Sequence, residues 1–208
     1  MPPIRDKFTI HSKAVVCQDV ELKGDITIGS GSIVHPKATI FAIAGPIVIG
    51  SNNIIEESAI IVNRRKEVMR IGDDNLFEIG CRIESPSIGS FNTLSTRCRV
   101  HHTVRLSSFC IIGAGVLLVP STDQTLDEYT VVYGHSGGVG THLADSLVGE
   151  GAGAGGAGQG QGGAAVAIET RTWSGRGKIQ EADLRRKHAE YLREMLPKFN
   201  RLRRGDGM

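Results

Sequence analysis

The residues whose types and spacing could carry chemistry are few, and two of them stand side by side. "AGPIVIGSNNIIEESAII" (44–61) sets Glu56 and Glu57 within an almost wholly aliphatic run. Adjacent carboxylates can share a proton, hold a metal, or divide acid and base roles. Further on, "FEIGCRIES" (77–85) contributes Glu78 and Glu84, while His35, His101 and His102 are the candidate general bases. A histidine could activate an acceptor hydroxyl or amine, and three neutral imidazoles could hold a catalytic zinc. The four cysteines (17, 81, 98 and 110) show no CxxC and no zinc-finger spacing with histidine. They read as free thiols in a reducing compartment rather than as a disulfide or metal set.

Which of these groups can act together depends on the elements that hold them. Aliphatic residues recur every six positions at Ile10, Val16, Leu22, Ile28, Val34 and Ile40. The phase resumes at Ile49, Ile55, Ile61, then at Ile71, Phe77, Ile83, and runs on from Ile88 to Leu118. A helix cannot use this period, because six residues advance roughly 600° and scatter the marked side chains over three faces. Six is a multiple of the strand period of two, so a strand keeps every marked side chain on one side. Asn-Gly hairpin turns are missing from the region, which leaves short strands joined by corners and stacked as a β-solenoid. With three hexads to a coil, the interruptions at 40→49, 61→71 and 83→88 all fall between a third face and the next first face. Gly29, Gly50, Gly72 and Gly89 each follow a first-face aliphatic. A second column of smaller residues, among them Ser32, Asn53, Asn75, Asn92, Cys81, Cys98 and Cys110, reads as a narrowing of the core at its corners. The expectation is an all-β solenoid of about six coils over residues 1–134.

Composition agrees. The 208 residues are 40% hydrophobic but only 5% aromatic, so the core must be built from Ile, Val and Leu. A formal charge of +2 exerts no general pull on nucleic acid or acidic membrane. The charged start "MPPIRDKFTI" lacks the apolar stretch of a signal peptide, and no window approaches the roughly 18 apolar residues of a membrane span. A soluble cytoplasmic protein is expected.

Beyond the solenoid, residues 135–177 are dominated by Gly, Ala and Gln and read as a flexible linker. "KIQEADLRRKHAEYLREMLPKFNRLRR" (178–204) reads as a helix, with a kink or break expected at Pro197. Its apolar positions Leu184, Leu192, Met195, Leu196, Phe199 and Leu202 recur at three- and four-residue steps. They are expected to dock the helix on the solenoid, leaving nine Lys/Arg and four Asp/Glu as its solvated face.

The hexad pattern resembles the left-handed parallel β-helix of hexapeptide-repeat proteins, and the hand comes from that resemblance alone. Within this group the chain resembles the hexapeptide-type pointed-end subunits of dynactin, the dynactin subunit 6 family. The shared stretches are "AVVC" (14–17), "GDITIG" (24–29), "VHPKATI" (34–40), "AGPIVIG" with the following "NIIEESAII" (44–61), "FEIGC" (77–81), "CIIGAG" (110–115) and "VVYG" (131–134). The tail "LREMLPKFNRLRR" (192–204) resembles that family's leucine-proline-aromatic ending. The resemblance implies a non-catalytic scaffold without cofactor or metal, paired with a second β-helix subunit beside an actin-related protein. It further implies service to dynein-driven transport at the cytoskeleton and to adaptor or cargo engagement. The long Gly/Ala connector and the compact basic loop "VNRRKEVMR" (62–70) depart from the family.

Hexapeptide folds also support two chemistries. Carbonic anhydrases of the γ class hold zinc with three histidines, but the corresponding stretch 77–85 has none. Acyltransferases need a histidine base, and no partner carboxylate for His101 or His102 follows from spacing. The hexad register makes the residues after the second-face aliphatics an outward column: Cys17, His35, Glu56, Glu78, Ser95 and Gly113. Its stacked carboxylates invite a cationic neighbour more readily than a metal. His35, Glu56, Glu78 and the corner residue Glu57 are therefore the candidate partner-binding residues, and no catalytic or metal set is expected.

Overall fold

Short strands of β-branched residues, each with one face too apolar to leave in water, must stack their neighbours to bury it. The structure, a computed structural model describing residues 6–134, 141–142 and 168–203, shows that solution carried through three sheets of parallel strands. On the first face Ile28, Ile49, Ile71, Ile88, Leu106 and Leu126 pair in unbroken register. Val16, Val34, Ile55, Phe77, Leu94, Ile112 and Val132 do the same on the second face. Leu22, Ile40, Ile61, Ile83, Val100 and Leu118 complete the third. The six coils expected are followed by a looser seventh, made of Gln124–Leu126, Thr130–Gly134 and Thr141–His142. Nearly every marked aliphatic is buried. Ile10 and Leu22 are only partly so, because the first coil has a neighbour on one side alone.

The glycine column has a direct cause. A Cβ on Gly72 would lie 2.7 Å from the carbonyl oxygen of Gly89, too close for any side chain. The coils meet backbone to backbone there.

The small-residue column does more than narrow the core. Asn53 Oδ1 accepts from the Asn75 backbone N–H at 3.0 Å and from Asn75 Nδ2 at 2.9 Å. Asn75 Oδ1 accepts from Asn92 N–H at 2.9 Å, and Asn92 Oδ1 from Cys110 N–H at 2.7 Å. Ser32 Oγ begins the series by accepting from Asn53 N–H at 3.1 Å. This buried ladder satisfies corner amides that an apolar residue would leave unpaired.

Two corners are held in the left-handed backbone region. One carries Asn52, Asp74, Phe91, Phe109 and Tyr129, and the other Lys37, Ser58, Gly80, Arg97 and Gly115. In the first, Phe91, Phe109 and Tyr129 stack face to face at 5.1 and 5.0 Å. The basic loop is tied down by Arg64 to Glu84 at 3.0 Å and Arg65 to Asp123 at 2.7 Å.

The expected linker needs correction. Residues 135–140 and 143–167 lie outside the described residues, but Ile168–Thr172 is a strand antiparallel to Thr130–Gly134. Its β-branched "IETRT" differs from the Gly/Ala run before it, and it closes the exposed edge of the second sheet. The helix runs from Lys178 to Phe199, not to 204, and Pro197 sits in its last turn without dividing it. Asn200 is extended, and the following residues form an antiparallel bridge, Leu202 with Cys17, on the first coil.

Candidate functional site

The helix crosses the second face from the last coil to the first. At its start Lys178 Nζ lies 3.7 Å from the Phe109 ring centroid and donates to Tyr129 Oη at 3.0 Å. Arg185 donates to the carbonyl oxygens of Asp74 and Asn92 and, at 2.9 Å, to Thr93 Oγ1. Arg193 donates to Gly31 O at 2.7 Å, and Arg203 to Val20 O at 3.1 Å. These guanidinium forks fit corners whose carbonyls point away from the coil, since a planar donor can serve two acceptors at once. Tail backbone completes the clamp: Gln18 N–H donates to Arg201 O and Arg203 N–H to Val16 O, both at 2.7 Å.

This geometry corrects the expected docking surface. Ala189, Leu192 and Leu196 are buried against the solenoid and Met195 is half-buried. Leu184, however, is 67% exposed and Phe199 77%, and Leu202 reaches the solenoid through its backbone while its side chain stays 38% exposed. The arginines rotate the helix toward the Asn52–Tyr129 corner, and the apolar stripe is carried to one side. Four of the nine cations read as a solvated face, Lys178, Arg185, Arg193 and Arg203, are instead docking contacts.

The outward column forms as the register requires. Val34, Ile55, Phe77 and Leu94 are successive partners, so His35, Glu56, Glu78 and Ser95 follow on consecutive coils. Two of its carboxylates are already engaged. Glu56 Oε2 accepts from Ile79 N–H at 3.1 Å, and Glu78 Oε2 from Thr96 N–H at 2.9 Å and Thr96 Oγ1 at 3.0 Å. Glu57 is exposed at the corner beside them. Among the described residues, none of these three carboxylates has an ion-pair partner within the chain.

The electrostatics follow from partial covering. Burial, then Glu78, raises the pKa of Glu56, against the Ile79 N–H and His188, which lower it. Burial lowers His35, with Glu57 opposing and His188 assisting, and His35 Nε2 is buried without a hydrogen-bond partner. His188 thus stands on the side of the helix that faces this column. Cys17, under the tail, is pushed up to about 11 by burial, Asp19 and Glu57.

Among the described residues, the parts that either enzyme chemistry needs are not brought together. Among the described residues no group of three or more His, Cys, Asp or Glu side chains is placed to hold a metal. The His101 and His102 rings lie against each other at 3.8 Å, tilted by 46°, and His101 Nδ1 is bonded to Thr103 Oγ1 at 3.0 Å. Thr103 Oγ1 donates onward to Pro120 O, so His101 Nδ1 must be the donor to it. No described hydrogen bond joins either ring to a carboxylate. Sequence reasoning missed Arg185, Arg193, Arg203 and the aromatic stack. For the stack, the spacing of Phe91, Phe109 and Tyr129, close to one coil each, was the available signal.

Comparison with known proteins places this geometry in context. No family model matches the chain. It is 43% identical over 141 residues to dynactin subunit 6 of Nematostella vectensis, a match covering 62% of this chain and 76% of that one. It is 41% identical to dynactin subunit 6 of Danio rerio over 60% of this chain and 69% of that one. For the Dictyostelium discoideum protein of the same name, identity is 37%, over 62% and 69%. Among solved structures, a hexapeptide transferase family protein from Anaplasma phagocytophilum superposes with a TM-score of 0.63 at 12% identity, over 92% of each chain. A putative acetyltransferase from Bacillus cereus does so with a TM-score of 0.57 at 14% identity, over 90% and 91%. At such identities these two likenesses concern the fold alone.

Proposed function

This chain belongs to the dynactin subunit 6 family, and we propose that within dynactin it works as a scaffold without catalysis of its own. The family match makes it a dynactin subunit, and in this reading it resides with that complex in the cytoplasm and at the cytoskeleton. The observation that carries the reading is the sustained identity of 37–43% to proteins named dynactin subunit 6 from animals and an amoeba. The transferase likeness lies in the solenoid, which is a general support for many functions. The local chemistry favours the scaffold: no described hydrogen bond joins His101 or His102 to a carboxylate, and Glu56 and Glu78 each cap backbone of the next coil.

In this proposal the subunit pairs with a second β-helix subunit at the pointed end of dynactin, next to an actin-related protein. From there it supports adaptor or cargo engagement by dynein. The polar column His35, Glu56, Glu57 and Glu78 forms part of the edge that partners meet. Affinity purification of the tagged full chain with mass spectrometry tests the assignment, and dynactin subunits should dominate the capture. A capture without them would reverse it. Acetyl-CoA binding by the pure protein, or stoichiometric zinc, would instead favour a hexapeptide-type enzyme.

A further inference from the structure

The helix leaves an apolar stripe uncovered, and its position is set by what the arginines do. At about 100° per residue, Leu184, His188, Tyr191, Met195 and Phe199 fall within an arc of about 80°. The docked residues Arg185, Ala189, Leu192 and Leu196 occupy the adjoining arc. Leu184, Tyr191 and Phe199 are 67%, 58% and 77% exposed, an unusual display of large apolar side chains on one line. Arg185 and Arg193 reach toward the Gly31, Asn52 and Asp74 corner, so the stripe lies on the opposite flank of the helix. His35, Glu56 and Glu78 follow the second-face strands on the side of the other corner, that of Lys37, Ser58, Gly80 and Arg97, and His188 in the middle of the stripe bears on His35 and Glu56 from there. That flank therefore borders the carboxylate column, and Ile79, 51% exposed and bonded to Glu56 through its N–H, belongs to the same border.

The result is a channel with unlike walls. One is apolar, from the helix. The other is acidic, from Glu56, Glu57 and Glu78, with Lys37 and Arg97 at the same corner one coil beyond either end. On the solvent side of the helix the charges neutralise one another: Lys187 pairs with Asp183 at 2.8 Å, and Lys198 with Glu194 at 2.7 Å. Among the described residues, the carboxylates of the column have no such partner.

We propose that this channel docks a segment of another dynactin subunit, one whose apolar side chains cover Leu184, Tyr191 and Phe199 and whose Lys or Arg meets Glu56 and Glu57. The inference rests on membership of the complex and specifies the surface and the chemistry of its partner. Charge complementarity selects the occupant: a second copy of this helix would bring its own apolar stripe, but its cations are either paired with carboxylates (Arg185, Arg186, Lys187, Lys198) or engaged on the solenoid (Lys178, Arg193). Two aromatic side chains and a leucine exposed on one line, with carboxylates along the edge, are the composition of an interface centre and its polar rim rather than of a solvated face.

The test uses the tagged full chain in cells. Leu184→Ser/Tyr191→Ser/Phe199→Ser and, separately, Glu56→Lys/Glu57→Lys should each lower recovery of at least one dynactin subunit by about tenfold or more. Because these residues are exposed or partly exposed, thermal melting of the purified variants should stay close to wild type. A photo-crosslinking residue in place of Tyr191 should join a basic, apolar segment of that same subunit. If the wild-type chain captures no dynactin subunit, membership fails and the proposal goes with it. If it captures them and the variants capture them equally, the channel assignment alone is wrong. A crosslink from position 191 to residues 143–167 of the same chain, or to a second copy, overturns it too.

Discussion

Replacing Arg185 by Ala should loosen the helix and the tail together, and Cys17 is placed to report it. The Arg185 side chain is 9% exposed and donates to Thr93 Oγ1 at 2.9 Å and to two backbone carbonyls. Charge-assisted bonds contribute about 1.5–3 kcal/mol each, and ordering the side chain costs about 2 kcal/mol. Three such bonds less that cost leave about 2.5–7 kcal/mol of docking, and even the lower end of that range multiplies the opened population by about 70-fold. Cys17 is fully buried beneath the bridge to Leu202, and its thiol is pushed up to about 11. At pH 8 the docked form then holds about one thiolate in a thousand, while the opened form, near an ordinary value of about 8.5, holds roughly a quarter. Maleimide labelling followed by peptide mass spectrometry should show Cys17 modified at least about 70-fold faster in Arg185→Ala than in wild type. Cys81, Cys98 and Cys110, inside the coils, should keep their wild-type rates. Arg185→Lys should recover little, since an ammonium cannot fork between two acceptors. Cys17 labelling within about twofold of wild type would show that the helix and tail are not one docked unit, and that Arg185 is incidental.

Asn75→Ala removes an acceptor for Asn92 N–H and a donor to Asn53 Oδ1, for a loss of about 2–3 kcal/mol and about 4–12 °C in Tm. Scanning calorimetry that finds Asn75→Ala unshifted would deny the ladder its role. Gly72→Ala forces a Cβ against the Gly89 backbone and should lower Tm by a similar amount through overpacking of about 1–3 kcal/mol, whereas the same change at Gly115, with open space around it, should meet only backbone strain. His35 is held below its ordinary 6.5, so the fold disfavours the imidazolium: this contribution is complete above 6.5 and is lost as pH falls through it. Glu56, raised above its ordinary 4.5, works the other way and gains as pH falls toward and below its folded value. Between pH 7.5 and 6 the His35 effect should dominate, and thermal melts of His35→Gln should be flatter over that window than those of wild type.

The solenoid was legible because its signal is repeated. A single aliphatic residue says little, but a phase that survives three insertions leaves strands of one parity and corners at fixed intervals. The same register sets His35, Glu56 and Glu78 on consecutive coils, as the strand pairing shows. The asparagines show how far this reading goes. Their size and spacing were visible at 53, 75 and 92, but their hydrogen bonds run between coils, and a pattern that registers only volume cannot tell Asn from Ala. Ile168–Thr172 was missed for a related reason, since a short strand after a long Gly/Ala run carries too few residues to show a period.

The helix was misread in the opposite sense. Its 3.6-residue period was correctly seen, and the error lay in assuming that the apolar stripe must face the core. That rule holds when the receiving surface is apolar and closed. Here the second face ends in left-handed corners that turn carbonyl oxygens outward, and an acceptor-rich rim is better met by guanidinium forks than by leucine. Arg185 and Arg193 take those acceptors and fix the rotation of the helix, so only Ala189, Leu192 and Leu196 remain to fill the apolar floor between them. With the rotation fixed, the stripe from Leu184 to Phe199 has nowhere to go but the flank. Its exposure is thus the consequence of a specific docking geometry, and it is paired with carboxylates that no described residue neutralises.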